Sequence, residues 1–227
     1  MNNFVLNYDL LIWVGLGLTL LAQGFITIAY SKYQKIENSK HNTGFDVARK
    51  ILDKNNLKDI IILETQGNLT DHYDPTNKVV KLSSNIYHGT SIASAAVAAH
   101  ECGHAIQDKV NYKPMRIRSK LVPIVNLCTR LGYFAIVIGA IFSYFLMELG
   151  IILLLSMLLF QIITLPVEFN ASHRALKELE NYNLLNNNEK HSARNMLIAA
   201  AFTYVASVIT TIMQILRYLL IANSRRR

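Results

Sequence analysis

Four stretches of this chain, residues 10–29, 131–147, 151–167 and 196–216, contain no Asp, Glu, Lys or Arg. Inside a bilayer every backbone N–H and C=O must find a partner within the protein, so apolar blocks of this kind are restricted to helices, and about 20 residues cross the hydrocarbon. The pattern therefore predicts a mainly α, multi-pass transmembrane protein. The second and third blocks lie near the lower limit of about 17 residues, so extension into their flanks is expected. Glu148, Leu149 and Gly150 separate them and read as a tight connection, which makes the pair a helical hairpin. In the fourth block Thr203, Ser207, Thr210, Thr211, Gln214 and Tyr218 recur on one face, a stripe expected to meet other helices instead of lipid.

The formal net charge is +8, and its placement matters more than its size. Lys32, Lys35 and Lys40 follow the first block, while Lys109, Lys113, Arg116, Arg118 and Lys120 precede the second. Such flanking charges fix orientation and touch the anionic headgroups of the lipid bilayer, so no nucleic-acid partner is expected. They put the N-terminus outside and residues 31–120 in the cytoplasm of a protein of the cell membrane. No basic residue precedes the first block, which argues against a cleavable signal peptide. A full crossing by the fourth block leaves Arg225, Arg226 and Arg227 outside, against the positive-inside tendency, so this segment is read as spanning or interfacial. The expected organisation is a first membrane helix (1–30), a cytoplasmic domain (31–120), the hairpin (121–167), a polar helix and loop (168–193), and the last apolar helix with its basic tail (194–227).

Residues 31–120 have the composition of a soluble domain. Thr43 can cap a helix through Leu52 whose apolar stripe is Phe45, Ala48, Ile51 and Leu52. The runs 57–63 and 79–82 read as two strands separated by the turn-rich GNLTDHYDPTN, and the second is a candidate for holding an extended peptide by backbone pairing. The polar stretch NYNLLNNNEK, 181–190, is expected to stay on the surface.

The chemistry centres on SAAVAAHECGHAIQD, residues 94–108. Its alanines favour a helix, on which His100 and His104 share a face one turn apart. That spacing offers two imidazoles to one zinc ion, with Glu101 beside them as a general base. Composition alone predicts about 0.01 such His-Glu-x-x-His matches in a chain like this. The two cysteines, Cys102 and Cys128, have neither disulfide-framework nor thiolate-site spacing, and Cys102 lies about 100° or more around the helix from either histidine. A catalytic zinc needs a third protein ligand. Glu168 is the strongest candidate: it emerges two residues after Pro166 at the end of an apolar block, where an uncompensated carboxylate is costly. His41, His72, His88 and His173 are the alternatives.

The segments AQGFITIAYSKY, GFDVARKIL, LTDHYDP, YHGTSIASAAVAAHECGHAIQ, LPVEFNASHRAL and AAAFTYVAS, in this order, resemble the integral-membrane neutral zinc metallopeptidases (YugP-like proteins). The chain is more distantly similar to the HtpX-like and CAAX prenyl membrane metalloproteases. The resemblance implies a small α+β, gluzincin-like zinc-metalloprotease domain on the transmembrane bundle. It also implies Zn2+ held by His100, His104 and Glu168, Glu101 as general base, and protein or peptide substrates. The wider pattern carries Asp four residues after the ligand Glu. Here Ser172 stands there, so another residue is expected to orient the ligand histidine. His72, Tyr73 and Arg174 are candidate oxyanion donors. Competing functions are a membrane scaffold with a structural zinc site and a zinc hydrolase acting on a non-peptide substrate.

Overall fold

The computed structural model describes residues 2–225, of which 2–7 and 225 by backbone alone. Its elements in chain order are helices α1 (Asn2–Tyr33) and α2 (Gly44–Lys54) and strands β1 (Ile61–Thr65), β2 (His72–Asp74) and β3 (Val79–Ser83), followed by helices α3 (Ser84–Tyr87), α4 (Ile92–Lys109), α5 (Lys113–Phe142), α6 (Tyr144–Asn181) and α7 (Asn187–Arg225). The fold is mainly α with a small α+β part. Among the described residues four helices are long and apolar enough to cross a membrane, at Tyr8–Tyr33, Lys113–Phe142, Tyr144–Asn181 and Asn187–Ser224. Contacts divide the chain into two units: Met1–Gly24, Arg116–Pro166 and Phe202–Arg227 form the first, and Phe25–Met115 with Val167–Ala201 the second.

The first unit exposes its apolar side chains. Trp13 is 66 % and Ile141 71 % accessible, which suits hydrocarbon and not water. Its interior is a cluster of Ile136, Met147, Ile151, Leu154, Ile215 and Ala222. The break between α5 and α6 is Ser143 alone, five to seven residues earlier than the connection expected at 148–150. Gly150 is not a turn residue. A Cβ there would stand 2.7 Å from Gly132 O and 2.8 Å from Ile136 N, so its role is to let two helix backbones touch.

The polar face of α7 holds partly as expected. Thr210 Oγ1 donates to Gly15 O at 3.2 Å and Tyr133 Oη to Gln214 Oε1 at 3.4 Å, whereas Ser207 is exposed and donates to Thr203 O of its own helix. An ion pair joins Arg217 to Asp9 at 3.2 Å. The last segment is one continuous helix through Arg225; Arg226 and Arg227 of the basic tail lie outside the described residues.

The second unit is built around α4. Ala93, Ala95, Ala96, Ala98, Ala99 and Cys102 are fully buried, as expected of a helix apolar around most of its circumference, and α2, α3, β2 and β3 pack on it. Small side chains let all of these neighbours approach. Ser91 caps α4, accepting from Ser94 N at 3.0 Å. Thr43 and Asp46 form the capping box of α2, worth about 1 kcal/mol. Ala48, Ile51 and Leu52 turn inward as expected, joined by Val47.

The sheet has three strands, not two. The expected long loop contains β2, and the order is β1-β3-β2 with β1·β3 parallel and β2·β3 antiparallel. Because β3 is paired along both edges, it has no free edge on which to receive a peptide. The polar stretch 181–190 is also less superficial than its composition implies. Leu184 and Leu185 enter the core, and buried Glu189 accepts from Ser39 N at 2.6 Å and Asn186 N at 2.8 Å.

Candidate metal centre

His100 and His104 project from one face of α4, their rings 4.8 Å apart and nearly perpendicular. Residues 168–181 continue α6 as helix past Pro166 instead of beginning a new element, and this carries Glu168 to the two imidazoles. Its Oε2 lies 3.3 Å from His100 Nε2 and 3.6 Å from His104 Nε2, with only 3 % of its side chain exposed. Among the described residues these three form the one group of His, Cys, Asp or Glu donors able to hold a metal ion, all within 4.8 Å of one another.

The donor set fits zinc. Zinc–nitrogen and zinc–oxygen bonds of 2.0–2.1 Å at the tetrahedral angle require neighbouring donors about 3.3–3.4 Å apart. The two nitrogen–oxygen separations sit at and just above that edge. The approach has a local cause in Gly103, which lies between the histidines: a Cβ there would be 2.5 Å from Ala171 O on α6, so only glycine lets the backbones close.

Glu101 lies beside this group and outside it. It is 8 % exposed, and its Oε2 accepts from Tyr73 N at 2.9 Å, so β2 holds the carboxylate in place. Burial pushes its carboxyl up to about 7, opposed by His100 and the Tyr73 N–H while the charges of Glu168 and Asp71 add to the rise. Cys102 points away, its Sγ donating to Ala48 O of α2 at 3.6 Å, and burial raises its thiol.

The remaining expectations separate cleanly. His41 pairs with Glu37 and His88 with Glu64, both exposed; His72 Nδ1 lies 2.8 Å from Thr70 O; His173 is exposed. None joins the donor group. Of the candidate oxyanion donors, Tyr73 Oη donates to Asp108 Oδ2 at 2.9 Å and Arg174 Nε to Asn170 Oδ1 at 2.8 Å. Lys78 also pairs with Asp108, tying the β2–β3 turn to the end of α4.

A family model described as "Putative neutral zinc metallopeptidase" matches residues 8–223. The chain belongs to the neutral zinc metallopeptidase family. A curated relative from Bacillus subtilis (strain 168), "Putative membrane protease YugP", is 42 % identical over 207 residues, covering 91 % of this chain and 92 % of the relative. No solved structure matches.

For a member of the zinc metallopeptidase family, the contacts behind the histidines matter as much as the donors themselves. Ser172 Oγ, although short, lies 3.2 Å from His100 Nδ1, because α6 runs close enough for the hydroxyl to reach. His104 Nδ1 is met at 3.0 Å by Oε1 of Gln107, a fully buried residue that is not among the candidates expected from the sequence. The clue was available in its spacing, since Gln107 is three residues on from His104 and shares its helical face.

Proposed function

We propose that this protein is a membrane-embedded zinc metallopeptidase that hydrolyses peptide bonds of protein or peptide substrates at the cytoplasmic face of the cell membrane. His100, His104 and Glu168 hold the zinc, and Glu101 is the general base. The observation that carries the reading is the convergence of two imidazoles and one buried carboxylate from separate helices, with a second carboxylate, that of Glu101, alongside. Three protein donors are the complement of a catalytic zinc, whereas structural sites use four. When bound, zinc supplies Lewis-acid polarisation of the scissile carbonyl and a nucleophile near neutral pH. Glu101, held by the Tyr73 N–H, accepts a proton from the attacking water and returns it to the leaving amine. The five segments expected from the sequence give the arrangement: the soluble part follows the first membrane helix, and the basic residues on both its flanks favour the cytoplasmic side.

The test is metal content and cleavage of an unfolded protein substrate by purified wild type beside Glu101→Gln and Glu168→Ala. Glu101→Gln is expected to keep its zinc and lose about 10²–10⁴-fold in rate, and Glu168→Ala to lose zinc. Zinc bound by Glu168→Ala as tightly as by wild type would overturn the assignment.

A further inference from the structure

The hydrogen bonds behind His104 form a directed chain whose polarity can be read from donors that have no choice. Arg174 Nε carries a proton and can only donate, so the Asn170 atom 2.8 Å away is the side-chain oxygen. Val167 O, a backbone carbonyl, can only accept. The Gln107 atom that lies 2.8 Å from Val167 O and 3.0 Å from Asn170 Oδ1 is therefore its amide nitrogen, donating to both. The other end of the Gln107 amide is then its oxygen, which faces His104 Nδ1 at 3.0 Å, and an amide oxygen only accepts. His104 Nδ1 must carry the proton, leaving the Nε2 lone pair directed toward Glu168. No comparable chain serves His100, because the Ser172 hydroxyl can rotate to donate or accept.

We propose that Gln107 is a positioning residue for the metal. Its amide oxygen fixes the Nδ1–H tautomer and ring orientation of His104, and its amide nitrogen anchors the same side chain to α6 at Val167, the residue before Glu168. One fully buried side chain thereby sets two of the three donors against each other, with Asn170 and Arg174 holding its orientation. This rests on the zinc reading above and adds to it the cause of the donor geometry.

Two substitutions separate this role from packing. Gln107→Met keeps the volume and removes both hydrogen-bonding ends. Gln107→Glu keeps an acceptor for His104 Nδ1–H while giving up the donors to Val167 and Asn170. Zinc affinity is measured on the full-length protein in detergent by competition with a chromogenic chelator, and the visible spectrum of the cobalt-loaded protein is recorded for each variant. Gln107→Met is expected to lower zinc affinity about 10–100-fold and alter the cobalt spectrum, and Gln107→Glu, which keeps the contact to His104 but loses the anchor to Val167, to bind zinc more tightly than Gln107→Met and more weakly than wild type. Methionine binding zinc as well as wild type, or glutamate binding no better than methionine, would overturn the proposal in favour of a packing role. Should Gln107→Met fail to fold, Asn170→Ala takes its place. Because Val167 O remains, that variant is expected to bind zinc a few-fold more weakly, and wild-type affinity there counts against the proposal. His104→Ala is the control for the underlying reading: zinc binding that survives it overturns the metal assignment and this one with it, whereas failure of Gln107 alone leaves the His104→Ala loss intact.

Discussion

At Gly150 a Cβ would meet Gly132 O at 2.7 Å, and at Gly103 one would meet Ala171 O at 2.5 Å; both glycines bring two helix backbones into contact. In the first unit the surroundings of that contact are Ile136, Met147, Ile151 and Leu154, which ask of their neighbours only that space be filled. In the second unit Gly103 is flanked by His100 and His104, and Ala171 follows Glu168 by less than a turn. The same backbone closeness there sets the separation of charged and hydrogen-bonding atoms whose geometry tolerates far less error. Close approach is thus a general packing device, and its chemical consequence depends on which polar atoms it delivers.

Substituting the two glycines breaks or sharpens that contrast most directly. Gly103→Ala is expected to cost about 1–3 kcal/mol in stability and to lower zinc affinity by about 10²-fold or more, because the backbone of Ala171 cannot yield without carrying Glu168 away. Thermal unfolding and chelator competition on the same sample check both. Gly150→Ala is expected to lose a similar amount of stability, about 1–3 kcal/mol, with zinc affinity unchanged. Equal loss of zinc in both variants would erase the distinction. Zinc itself should separate the units: at about 100 times its dissociation constant it adds about 2.7 kcal/mol to the state that binds it. Hydrogen exchange should show this protection at α4 and β2 and leave 132–154 unaffected.

Smaller effects test the supports of the second unit. Thr43→Ala removes the capping box of α2 and should cost about 1 kcal/mol without touching zinc binding. Tyr73→Phe removes the hydroxyl bond to Asp108 and should cost about 0.5–1.5 kcal/mol. The backbone N–H that holds Glu101 is kept, so cleavage is expected to fall only a few-fold; a loss as large as that of Glu101→Gln would mean the hydroxyl has a direct part in the chemistry.

What could be read from the sequence was what repeats locally. The first and fourth apolar blocks, the Thr43 cap and the i, i+4 pair His100 and His104 depend on spacing along one element, and each lies where its spacing implied, while the second and third blocks are helical but divide at Ser143 and not at 148–150. Glu168 came from a different argument, the cost of a carboxylate at the end of an apolar segment, and it does meet the histidines. What escaped were features decided by a partner distant in sequence. Gly150 looks like a turn glycine until Gly132 is beside it, and β2 is only three residues long and exists because β3 offers it an edge. Leu184 and Leu185 are two apolar residues in a polar run, too few to show a period, yet they lie in the core. Gln107 could be placed on the His104 face from spacing, but its bond to Val167 required α6 to be in position.

The most direct test of the account is zinc-edge anomalous scattering from crystals of the full-length protein. The account predicts one peak bounded by His100 Nε2, His104 Nε2 and Glu168 Oε2. A peak elsewhere, or one that the Glu168 carboxylate does not reach, would contradict it.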